Sequence, residues 1–160
     1  GAKHENVWLL VAGPDGEGLS QEGLKRCRAV RNRLIFVGFT AKPEMYMTAS
    51  DIFALPSYRE GFGSSVIEAA ACGLPSVCSK IYGLTDAVQD GVTGLLHTPT
   101  DILDIERQLE VLLLDSQLRL QLGAAAKKRA VDDFGQARLT HSFKCFVDSC
   151  LLSQGMHCEQ

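Results

Sequence analysis

The chain has 160 residues, 46% of them hydrophobic, and a formal net charge of −3; this suits one compact core and excludes low-complexity sequence or a heptad array. Its longest apolar runs, such as 7–12 and 52–56, fall far short of the roughly 20 residues of a bilayer span, and no basic-then-apolar leader is visible, so a soluble, cytoplasmic piece is expected. The negative balance, without a dense Lys/Arg stripe, argues against nucleic acid as a partner and leaves room for a small anion held locally.

In chain order, residues 7–12 (VWLLVA) read as a strand buried on both faces, stopped by the turn Gly13-Pro14-Asp15-Gly16. The glycines around that turn have the wrong spacing for a dinucleotide fingerprint, and a proline interrupts them. Residues 20–29 suit a helix with Ser20 as N-cap, and 34–37 (LIFV) a second buried strand ending at Gly38. A short helix over 43–49, a strand over 51–56, a helix over 64–72 closed by Gly73 and a strand over 75–78 follow. Such alternation with short connections implies right-handed crossovers and an α/β, Rossmann-like, doubly wound parallel sheet. Beyond Gly91 a last strand is expected at 94–97. Helical periodicity then takes over, with Leu103, Leu109, Leu112, Leu113, Leu118, Leu120 and Leu122 as a core stripe. Residues 1–152 are expected to form one domain and 153–160 a frayed tail. The six cysteines include no C-x-x-C pair and read as free thiols of a reducing compartment.

The stretch 57–77 (SYREGFGSSVIEAAACGLPSV) carries the chemistry. It follows the carboxyl end of the strand at 51–56, where open parallel sheets place their ligand crevices. Gly61 and Gly63 flank Phe62, so this backbone can take positive φ and approach a ligand closely. Ser64 and Ser65 open a helix whose first N–H groups lack internal acceptors and carry the positive end of the helix dipole, a favourable seat for phosphate. Glu68 stands about 6 Å of rise further on and leans back towards that end. A carboxylate would repel a phosphate there, so Glu68 is better suited to neutral hydroxyls such as a ribose diol. Glu60, before the turn, would face a second polyol. Hydroxyls at both ends with phosphate between them is the layout of a nucleotide-sugar. The bland reading of Glu68 is a dipole partner, and of Glu60 a solvated loop acid; Ala69, Ala70 and Ala71 are structural, letting the helix lie close to the sheet.

The E-x7-E spacing of Glu60 and Glu68, preceded by LPS at 55–57 and followed by EAAACGLPSV and DGVTGLL, resembles the C-terminal nucleotide-sugar domain of GT-B retaining glycosyltransferases, glycosyltransferase family 4. The similarity extends through LLVAGPDGEG and LIFVGFTAKPEMYMTASDIFALPS and on to about Phe134. It implies that Glu68 binds donor ribose and that Glu60 is the catalytic residue beside the transferred sugar. It also implies that amides of Gly61, Phe62, Gly63, Ser64 and Ser65 contact sugar and diphosphate, and that Gly38 and Phe39 border the base. Family members hold the diphosphate with an Arg and a Lys upstream of the segment matching 7–12, and take their acceptor, a sugar or lipid-linked molecule, from an N-terminal domain. The chain is therefore expected to be an inactive fragment of a longer enzyme, peripheral at a membrane and serving polysaccharide or glycolipid synthesis. No cofactor beyond the substrate and no metal is implied.

Three other readings compete. Paired glutamates also serve glycosidases, but those favour aromatic platforms, and this chain has a single tryptophan, Trp8. A nucleotide-sugar epimerase and a non-catalytic nucleotide-sugar-binding module remain alternatives. His97 and His141 read as surface or satisfied residues, and Lys80 and Arg59 as secondary candidates for phosphate. The amphipathic segment 137–152, with Leu139, Phe143, Phe146, Val147 and Cys150, is expected to expose apolar surface for a further domain or for dimer contacts.

Overall fold

The structure, a computed structural model, describes residues 4–16 and 18–153. The tail expected at 153–160 lies, after its first residue, outside the described residues, and Cys158 with it. The chain divides into two compact units, Gly1–Tyr46 and Met47–Gln160, each of which is described by itself.

In the first unit β1 (Leu9–Ala12) pairs in parallel with β2 (Leu34–Gly38), Leu9 opposite Leu34, with a slip that sets Ala12 opposite Gly38. The expectation that 7–12 is buried on both faces is corrected: Trp8, Leu9, Val11 and Ile35 are exposed. A ladder of two strands cannot cover both of its faces. Helix α1 (Leu19–Arg26) lies against the sheet through Gly23, where an added Cβ would stand 3.2 Å from the Phe36 ring. Ser20 is not the N-cap. That position is Gly18, at φ 67°, and Ser20 inside the helix directs its N–H and hydroxyl to the Asp15 carboxylate, an anion well placed at the positive end of a helix. The helix also stops earlier than 29; residues Arg28–Arg33 continue as a 3-10 segment. The absence of a dense basic stripe is corrected here too, because residues 25–33 (KRCRAVRNR) hold five Lys or Arg and no acid. The acids spread along the rest of the chain conceal that run in the net charge. Helix α2 (Pro43–Met47) closes this unit and passes Met47 to the next.

The second unit contains β3 (Phe53–Leu55), α3 (Ser64–Ala71), β4 (Ser76–Ser79), α4 (Leu84–Ala87), β5 (Gly94–His97), α5 (Ile102–Leu114), α6 (Ser116–Phe134) and α7 (Gln136–Ser153). Its strands form a parallel sheet in the order β3-β4-β5. β4 is central and all four of its residues are buried. Successive side chains of a strand face opposite ways, and this strand has helices to meet on each side. Val77 packs with Leu112 of α5 and Leu122 of α6, whereas Cys78 packs with Val66 of α3 and Leu84 of α4. The α/β class with parallel strands is thus realised.

Helix α3 ends in a Schellman motif: Gly73, at φ 84°, donates to Ala70 O at 2.8 Å and Leu74 to Ala69 O at 3.0 Å, as the expected glycine closure requires. Of the three alanines, Ala69 packs with Met47 and Leu74, and Ala70 packs on Ala126 and Ala130 of α6. Ala71 is exposed, so its expected place against the sheet is corrected; it falls on the outer side of the helix. The leucine stripe is interrupted as well. Asp115 caps α6 through Leu118 N–H and splits the segment into two helices, and each helix leaves one leucine off its buried side: Leu103 is exposed on α5 while Leu112 is buried, and Leu120 is exposed on α6 while Leu122 is buried. Among the described residues no helix is long and apolar enough to cross a membrane.

Candidate functional site

The carboxyl ends of β3 and β4 each release a loop, and the two loops meet. From Leu55 the chain runs through 56–63 into α3; from Ser79 it runs through 80–83 into α4. A Cβ on Gly83, whose φ is 85°, would lie 2.5 Å from Gly61 O and 3.0 Å from Glu60 O. Only a residue without a side chain lets the second loop rest on the backbone of the first. Gly63 performs a similar service at the start of α3. Its φ is 72°, and a Cβ there would meet Leu84 Cδ2 at 2.6 Å. Gly61 has no positive φ, which corrects the expectation for the pair; an added Cβ there would meet open space.

Glu60 is half-buried and accepts a hydrogen bond from Ser57 Oγ at 3.1 Å. Its charge is felt below the loop: burial pushes the Cys78 thiol up to about 12, a hydrogen bond at the Leu55 backbone opposes this, and the Glu60 carboxylate adds to it. Helix α3 starts at Gly63 with no side-chain cap, and its first backbone bond runs from Val66 N–H to Gly63 O at 2.9 Å. The amides of Ser64 and Ser65 lie ahead of that bond, beside exposed Gly61 and Phe62, and Glu68 is exposed one turn further on. Two acids, a glycine-rich bend and an uncapped helix start therefore stand along one continuous stretch, able to bind an anion at the amides and hydroxyls at the carboxylates.

Further residues that sequence reasoning passed over brace this stretch. Phe62 meets Phe134, at the end of α6, ring to ring at 5.5 Å and 68°. The guanidinium of Arg129 stacks on Phe134 at 5.0 Å and donates to Ala87 O at 2.5 Å and Asp86 O at 2.7 Å, closing the last turn of α4. Its Nε lies 3.4 Å from Asp133. Helix α4 itself was not anticipated; four residues are too few to show a period, and only the Tyr82-Gly83 pair marked the bend before it. Lys80 and Arg59 are both exposed near strand ends.

The remaining candidates belong to the other unit or do structural work. Gly38 (φ 73°) and Phe39 (79% exposed) belong to the first unit, where Gly38 O accepts from Gly13 N–H at 2.9 Å. His97 is the satisfied residue anticipated. Buried, it reaches Thr98 O through Nδ1 at 2.9 Å, which makes Nδ1 the protonated nitrogen, and Nε2 then accepts from Ser79 Oγ at 3.3 Å. His141 is exposed and contacts Cys145 on α7. Among the described residues no group of three His, Cys, Asp or Glu could hold a metal ion. Cys27, Cys72, Cys78 and Cys145 are free thiols.

Residues 1–129 match the family described as glycosyl transferases group 1. A D-inositol 3-phosphate glycosyltransferase of Kribbella flavida is 35% identical over 130 residues, 78% of this chain and 31% of that protein. An N-acetyl-alpha-D-glucosaminyl L-malate synthase of Bacillus anthracis is 26% identical over 85% of this chain and 36% of its own length. The chain thus spans about a third of these relatives. Among solved structures, Anabaena Alr3699/HepE in complex with UDP superposes with a TM-score of 0.84 at 27% identity, over 92% of this chain and 43% of that one. The same protein in complex with UDP-glucose gives 0.82. Sucrose-phosphate synthase from Thermosynechococcus elongatus gives 0.83 at 27% identity, over 95% of this chain and 40% of that chain.

Proposed function

The chain belongs to the glycosyl transferases group 1 family, and on that premise we propose that residues 1–152 are the C-terminal, donor-binding domain of a glycosyltransferase family 4 enzyme of GT-B fold. The parent protein transfers a sugar from a nucleoside-diphosphate sugar with retention of configuration. The observation that carries this reading is the continuous stretch from Glu60 to Glu68, with its acids on either side of an uncapped helix start. The neighbour bound to UDP-glucose supports a uridine donor.

In this reading the diphosphate lies at the Ser64 and Ser65 amides, where the α3 dipole adds up to about 2 kcal/mol for a partly buried anion. Negative charge grows on the diphosphate as the sugar leaves, and fixed donors aimed at it are worth about 10²–10³ in rate each. Glu68 accepts hydrogen bonds from the ribose hydroxyls. Glu60, its carboxylate steadied by Ser57, is the catalytic residue at the transferred sugar. The backbone of Gly61, Phe62 and Gly63 contacts sugar and phosphate. For Gly38 and Phe39 the assignment to the base rests on the resemblance alone. The cations that balance the diphosphate, and the acceptor site for a sugar or lipid-linked molecule, come from sequence outside these 160 residues. The parent works in the cytoplasm, in polysaccharide or glycolipid synthesis.

An assay of the parent protein against the isolated chain tests this. The parent converts a UDP-sugar with retention, read by NMR of the anomeric proton; its Glu60→Gln variant loses turnover, and the 160-residue chain shows none. Turnover by the isolated chain, or a parent that ignores UDP-, GDP- and ADP-sugars alike, would contradict it.

A further inference from the structure

Helix α7 carries two metal-ligating side chains that the donor reading leaves unused. His141 and Cys145 stand four residues apart, which sets them one above the other on a single face of the helix. Their donor atoms, Nε2 and Sγ, are 3.6 Å apart, and both residues are exposed. An ion bonded at about 2.0–2.1 Å to imidazole nitrogen and about 2.3 Å to thiolate sulfur, at a tetrahedral angle, holds those two atoms roughly 3.6 Å apart. The pair thus already spans one edge of such a site. The exposed apolar residues Leu139, Phe143 and Phe146 fall about 140–160° round the helix from His141, at about 100° per residue. A partner that covers them leaves the pair open. Of the charges nearby, Arg138 is taken up by Asp133 at 3.3 Å, and Asp148, on the same face one turn beyond Cys145, offsets Lys144.

We propose that His141 and Cys145 bind a divalent cation of the zinc class, as a surface chelate whose other positions are filled by water. Thiolate with imidazole selects Zn²⁺ or Cd²⁺ over Mg²⁺ and Ca²⁺, which take oxygen ligands. As the ion binds, the thiol proton leaves to solvent and the ring stays neutral, with its proton on Nδ1. Lone pairs of Sγ and Nε2 then form the two bonds. Two protein donors make an open site, in contrast with the closed four-ligand centres that hold a fold together. The gain falls on α7 itself. From Gln136 to Cys150 only Val147 is half-buried and the rest are exposed, so packing does little to hold the helix, and a helix of this length is marginal by itself. An ion that ties residue 141 to residue 145 fixes one turn and steadies the segment around it. This inference is independent of the donor reading.

The test is titration of the full chain with Cd²⁺, its thiols kept reduced by a phosphine, read by thiolate-to-metal charge transfer in the ultraviolet. The wild-type chain shows the band, Zn²⁺ competes it away, and Mg²⁺ in large excess does not. Cys145→Ser removes the band. His141→Ala weakens binding at least about 10-fold, the loss that even an outer partner of a metal ligand causes. Cys27→Ser, Cys150→Ser and Cys158→Ser together leave the band in place. Zn²⁺ also slows amide hydrogen exchange across residues 139–146 in the wild-type chain and not in Cys145→Ser. Circular dichroism of each metal-free variant separates lost binding from lost folding. The proposal is overturned if the wild-type chain shows no band, if folded Cys145→Ser keeps it, or if His141→Ala binds as tightly as wild type. Loss of the band in the triple cysteine variant, displacement by Mg²⁺, or unchanged amide exchange at saturating Zn²⁺ would overturn it equally.

Discussion

Gly63 shows how closely the site depends on single residues. It holds a left-handed φ of 72° at the start of α3, and its missing Cβ is what admits Leu84. Replacing it with alanine imposes both backbone strain and overpacking, together roughly 2–5 kcal/mol. The expected result is a clear fall in melting temperature; a melt equal to wild type would contradict the packing described. Asp104 is a second sensitive residue, though remote from the site. The Thr98 backbone N–H, bonded at 2.7 Å, and then Arg107 and Gln108 hold its carboxyl well below the usual carboxylate range. A depressed folded-state pKa gives stability that is complete above the unfolded pKa of about 4 and disappears as pH falls through the folded value. Asp104→Asn should therefore melt below wild type at pH 7, with the gap closing as the pH drops below about 4. The two glutamates were legible in the sequence because a carboxylate at a helix start is chemically conspicuous. Gly83 was not, because its role depends on the Glu60–Gly61 backbone lying against it, a tertiary contact without a local signature.

At the scale of elements, the order of strands and helices followed from short apolar runs and turn residues. The glycine closure of α3 was readable because Gly73 and Pro75 are strong local punctuation. What failed were burial and brevity. Leu103 and Leu120 fit a stripe on paper, but at about 3.6 residues per turn Leu103 stands opposite buried Leu112 on α5 and Leu120 opposite buried Leu122 on α6, so both are exposed. Helix α4 is one turn long and is held from outside, by Arg129 at the Ala87 and Asp86 carbonyls. Arg129→Met keeps most of the aliphatic bulk and removes those charged hydrogen bonds, leaving two carbonyls unpaired. A loss of about 1–3 kcal/mol is expected in denaturant unfolding. Because Arg129 also stacks on Phe134, and Phe134 on Phe62, the same variant should weaken nucleotide binding although it touches no ligand. Unaltered stability and binding would show that α4 and the Phe62 loop need no such brace.

For the whole molecule, two opposite features of charge were hidden in one number. A net charge of −3 was read as a chain without a dense basic stripe, while five cations fall within residues 25–33 and the proposed donor site lies among acids and backbone amides. The exposed apolar residues of α7, Leu139, Phe143 and Phe146, and those of β1 were foreseen only in the first case. The α7 pattern has a clear helical period, whereas a strand's burial depends on how many neighbours it finds. The central claim is that the stretch from Glu60 to Glu68 binds a nucleotide-sugar. Its most direct test is an amide-resolved NMR titration of the chain with UDP and with UDP-glucose, repeated on Glu68→Gln and Glu60→Gln. The account predicts shifts at the amides of Gly61 to Ser65, a roughly 10-fold or greater loss of affinity for both ligands in Glu68→Gln, and a loss confined to UDP-glucose in Glu60→Gln. Absent shifts at those amides with millimolar ligand, or equal and negligible effects of the two substitutions, would contradict it.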